Sequence, residues 1–69
     1  MDRRVILERL AQAREQVATS ERHVECQRTI LAGLYRGGRD TTQAQQLLTR
    51  LEAVQAQHVF YRDRLEQLG

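Results

Sequence analysis

Gly37-Gly38 is the one strong chain-reversal signal in a 69-residue sequence without proline. Paired glycines break a helical pattern, and no other such break occurs in this chain. On both sides apolar residues recur at spacings of three and four, the period of an α-helix. The chain is thereby constrained to reverse once between two long helices. The spacing predicts helices over about residues 3–36 and 41–68, joined by a turn at 37–40, in a single domain spanning 1–69. At ~1.5 Å per residue the helices are roughly 50 Å and 40 Å long. Asp2 is a candidate N-cap for the first helix, and Gly37 is a candidate left-handed stop at its end. Asp40 is the expected N-cap of the second, with Gln43 completing a capping box.

The two patterns also match each other. In the second helix Ala44, Leu47, Leu51, Val54, His58, Tyr61, Leu65 and Leu68 form an unbroken row of heptad a and d positions. In the first helix Ile6, Leu10, Ala13, Val17, Ser20, Val24, Gln27, Leu31 and Leu34 keep the same rhythm. Reversal at the glycines sets Leu10 level with Leu65, Val17 with His58, Val24 with Leu51 and Leu31 with Ala44. The expected fold class is all-α: a two-helix antiparallel coiled-coil hairpin, which dimerises into a four-helix bundle. Three seam positions are polar: Ser20, Gln27 and His58. Polar seam residues penalise the wrong register.

Composition excludes several classes. A single cysteine, Cys26, rules out an intrachain disulfide framework. No run approaches the ~18 apolar residues of a membrane span. Met1-Asp2-Arg3-Arg4 leads into a charged segment rather than the apolar stretch of a signal peptide, so a cytoplasmic location is expected. All eleven basic residues are arginine and nine acids offset them, leaving a net charge of +2. The charges interleave, as in Arg4 with Glu8 and Arg62 with Glu66 at helical spacing. Nucleic-acid surfaces instead show a one-sided basic stripe.

A chain below ~70–80 residues usually needs a staple: disulfides, a metal, a partner chain or very regular helix packing. Apolar residues off the expected seam point to a partner: Leu7, Ile30, Leu48, Val59 and Phe60, the last two beside Ala53 and Ala56. They define the expected surface for self-association or for a protein partner. Arg9 near Arg64, and Arg14 near Arg62, would further disfavour a solitary hairpin. A homodimer is the simplest outcome.

Chemistry finds little support. His58 faces Val17 in the seam and reads as a core histidine bonded to a neighbour such as Ser20, Gln55 or Gln16. His23 and Cys26 share a helical side and are metal-ligand types, but no further ligand converges on them. Cys26 reads as a buried or half-buried thiol. There is no phosphate-binding glycine loop, no nucleophile with an orienting base, and no expected pocket of the usual size. Neither a cofactor nor a small-molecule substrate is expected, and the chain does not read as an enzyme.

Residues Glu21-Arg22-His23, Gln27, Ile30, Asp40-Thr41, Ala44, Leu47-Leu48, Glu52, Gln55, His58 and Arg62-Asp63-Arg64-Leu65 carry a resemblance. The sequence resembles a group of short bacterial helical-hairpin proteins with no assigned activity. It departs from them in the second turn glycine and in Leu51, where they carry an aromatic, a difference confined to packing. The resemblance implies a hairpin and supplies no function. By length and architecture alone, the hairpin is similar to the Rop-like RNA-binding regulators, which dimerise into four-helix bundles. Analogy of fold does not transfer function.

Three functions compete, the last of them a metal or redox sensor through His23 and Cys26. The first is a non-catalytic structural or protein-interaction module that self-associates. The second is a small nucleic-acid-binding regulator using Arg3, Arg4, Arg9, Arg14, Arg62 and Arg64 at the open end of the hairpin. Asp2, Glu8, Asp63 and Glu66 at the same end oppose that reading.

Overall fold

A computed structural model describes residues 2–69 as two helices, α1 (Arg3–Arg36) and α2 (Thr42–Leu68), folded into an antiparallel hairpin. The hairpin is a rod with extents of 54 × 14 × 12 Å. Each helix end has a local cause. The Asp2 carboxylate accepts from the Arg4 backbone N–H at 3.1 Å, which satisfies one of the orphan donors of the first turn.

The end of α1 is a Schellman motif shifted by one residue from the expected stop. Gly37 has φ −80°, and Gly38 is the left-handed residue at φ +68°. The Arg39 N–H donates to the Leu34 carbonyl at 3.0 Å and the Gly38 N–H to the Tyr35 carbonyl at 3.1 Å. These are the paired bonds of that motif. A left-handed conformation costs a residue with a Cβ roughly 1–2 kcal/mol, so Gly38 is the glycine that the turn requires.

The start of α2 also departs from expectation. Thr41 occupies the N-cap position with no side-chain bond. Asp40, one residue earlier, does the capping: its Oδ1 accepts from the Thr42 N–H at 3.0 Å and from the Thr42 hydroxyl at 2.7 Å. These bonds, the backbone one foremost, hold the Asp40 carboxyl below its ordinary pKa. Gln43 closes no capping box with Asp40.

The buried residues of α1 are Ile6, Leu10, Ala13, Val17, Ser20, Val24 and Gln27, the expected seam from its start to its last turns. Leu10 and Ala13 form a buried cluster with Leu65 of α2. Beyond Gln27 the seam opens, and Leu31 and Leu34 are half-buried.

The second helix is rotated from the expected seam. Ala44, Leu51, His58 and Leu65 face α1, but the alternate row beside them is Leu48, Gln55 and Arg62, all half-buried. The heptad pattern assigns that place to Leu47, Val54, Tyr61 and Leu68. These four stay exposed, at 45%, 45%, 44% and 62% of their surface. Two ion pairs accompany the rotation. Glu66 meets Arg14 at 3.4 Å and Glu52 meets Arg28 at 3.2 Å, and both pairs cross between the helices on the side of the half-buried row. Exposed pairs contribute little each.

Candidate interaction surface

The rotation divides the hairpin into two unlike flanks. One is crossed by Arg14–Glu66 and Arg28–Glu52. Arg28 also bonds Glu25 at 2.8 Å, and its two carboxylate partners, Glu52 first, raise its guanidinium pKa. Among the described residues no ion pair crosses the other flank. There the row Leu47, Val54, Tyr61 and Leu68 lies beside α1 residues Gln12, Gln16 and His23. Successive members of that row are seven residues apart, which keeps them on one helical stripe.

The expected surface residues do not form one face. At 100° per residue, Leu7, Leu48 and Val59 project toward the ion-paired flank, where Leu48 and Val59 are half-buried. Ile30 lies on the open flank. Ala53, Ala56 and Phe60 occupy the back of α2, opposite the seam. Phe60 is 64% exposed, and the Arg64 guanidinium sits 5.9 Å from its ring centre. The residues missed by the sequence pattern are Leu47, Val54, Tyr61 and Leu68. Their heptad spacing is the right signal for a helix-packing row, but not for which helix packs on it.

The polar seam residues have separate roles. The Ser20 hydroxyl donates to the Val17 carbonyl of its own helix at 2.9 Å, so it is satisfied without His58. Gln27 Nε2 donates across the seam to the Ala44 carbonyl at 3.1 Å. His58 is half-buried and bonds none of Ser20, Gln55 or Gln16, contrary to expectation. No buried side-chain polar atom among the described residues is left without a partner.

His58 lines an open hollow of about 680 Å³ with Gln16, Ser20, His23 and Val54. A second, of about 590 Å³, lies near the turn between Leu31, Tyr35 and Gln45. Both are troughs on the rod, open to solvent. Cys26 is exposed rather than buried, and so is His23. Among the described residues no three histidine, cysteine or acidic side chains gather as a metal site, and no helix is long and apolar enough to cross a membrane.

The like-charge contacts expected at the open end are altered. Arg14 pairs with Glu66 and not with a second arginine, while Arg62 bonds Asp63 at 3.0 Å. The Arg4–Glu8 pair forms as expected, at 3.5 Å. No family model, curated protein or solved structure matches the chain.

Proposed function

We propose that this hairpin is a non-catalytic interaction module whose primary partner is a second copy of itself. The observation that carries the reading is the exposed heptad row Leu47, Val54, Tyr61 and Leu68 on the flank without interhelical ion pairs. A row of large apolar side chains at helical spacing is a packing surface for another helix. The thinness of the core supports it further. Among the described residues six apolar side chains are buried, and a lone core of that size supplies little stability.

Light scattering across a dilution series tests this reading. The expected molar mass is twice 8.1 kDa at micromolar concentration and above. A mass of 8.1 kDa at every concentration would overturn it.

A further inference from the structure

We infer that the second copy docks antiparallel on the open flank, about a two-fold axis that crosses the hairpin at the level of Ser20 and Val54. The inference rests on the self-association reading and adds the face, the symmetry and the pairing. Ser20 lies at the middle of α1, and Ser20 and Val54 line the same hollow. Leu47 and Tyr61 lie seven residues to either side of Val54, ~10 Å along the helix each way. A crosswise two-fold at this level sets Val54 against Val54 and Leu47 against Tyr61 of the second copy. Leu47, Val54 and Tyr61 are self-complementary, as an isologous interface requires, while Leu68 falls level with the Asp40 turn of the second copy.

The flank of α1 obeys the same centre. Val5 and Leu34 are equidistant from a point between Thr19 and Ser20, as are Arg9 and Ile30, and Gln16 and His23. Apolar meets apolar at the ends, glutamine meets histidine near the axis, and the Arg9 stem lies along Ile30. Glu15 and Arg22 both border the hollow. The two-fold brings Glu15 to within ~3 Å, along the rod, of the level of Arg22 in the second copy.

The other face-to-face two-fold, along the rod, fits worse on two counts. It lays α1 of each copy over α2 of the other, so the apolar stripe faces Gln12, Gln16 and His23. It also brings Arg9 of one copy level with Arg64 of the other. The crosswise axis sends those arginines to opposite ends, ~30 Å apart and several screening lengths away.

Engineered cysteines read the geometry directly. In a Cys26→Ser background, Val54→Cys treated with oxidised glutathione is expected to join two copies through a disulfide. Mixed Leu47→Cys and Tyr61→Cys chains should also join, while Ala53→Cys, on the back of α2, stays free. Val54→Cys joining His23→Cys chains in preference to itself would overturn the inference in favour of the lengthwise axis. Cross-linking through Ala53→Cys would overturn the choice of face. As a variant that needs no new bond, Val54→Arg should keep its helicity by circular dichroism while its mass falls to 8.1 kDa. A dimeric Val54→Arg chain would sink the placement and leave self-association standing. A wild-type chain that is monomeric throughout would sink both.

Discussion

His58 shows how a polar residue is accommodated in a helical seam without being used. It occupies a position that a heptad would fill with leucine, and it is half-buried beside Val54 and Ser20. Ser20 spends its hydroxyl on Val17, so the imidazole holds no neighbour in place. Gln27 is the contrast, because its amide reaches a main-chain carbonyl of the opposite helix and ties the two together at a fixed level. Replacing a tolerated polar group by an apolar one of similar volume is neutral or stabilising, whereas breaking a satisfied buried bond leaves an orphan. His58→Leu is therefore expected to keep stability within ~0.5 kcal/mol of wild type or to raise it. Gln27→Ala should lose about 1 kcal/mol with the hydrogen bond, and more with the cavity. Urea denaturation of both variants at neutral pH makes the comparison. A large loss in His58→Leu would show that the imidazole has a role beyond filling its place.

Glycines set the limits of the first helix, and two of them act in opposite senses. Gly38 holds the left-handed position on which both Schellman bonds depend. Gly33 lies within the last turn of α1 with open space where a Cβ would project. Gly38→Ala is expected to destabilise the hairpin by ~1–2 kcal/mol through backbone strain. Gly33→Ala should stabilise it by ~0.8–1 kcal/mol through helix propensity. Thermal melts of the two variants would show shifts of opposite sign, and a stabilising Gly38→Ala would deny the turn its left-handed residue. The turn's position was legible because two adjacent glycines leave few alternatives; which of them turns left was not, since either can. The α1 seam was equally legible, because only one row of α1 is continuous and apolar. In α2 the row Ala44, Leu51, His58 and Leu65 has two neighbours that could complete a seam. Hydrophobicity favours the row through Leu47, Val54 and Tyr61. The rotation that pairs Glu52 with Arg28 and Glu66 with Arg14 favours the row through Leu48, Gln55 and Arg62. That choice depends on how the two helices face each other, which a pattern read along one helix does not contain. The open flank was hidden for the same reason, since its residues look like core until α2 is turned away from them.

At the scale of the whole molecule, stability and assembly are linked. Among the described residues the rod buries six apolar side chains, and the four large apolar residues on the open flank of α2 remain outside, as does Phe60 on its back. If those four are covered only when two copies meet, unfolding releases two chains and the melting temperature depends on concentration. Wild-type melts followed by circular dichroism should move upward by several degrees between micromolar and hundred-micromolar samples. Val54→Arg melts should lie lower and stay fixed over the same range, because the helices persist without the interface. Phe60→Asp is the companion measurement. Phe60 sits on the back of α2 with its ring against Arg64, outside the proposed contact, so its melts should retain the wild-type concentration dependence. A wild-type melting temperature indifferent to concentration would mean that the hairpin stands alone with its leucine row bare. Concentration dependence lost in Phe60→Asp and kept in Val54→Arg would move the interface from the open flank to the back of α2.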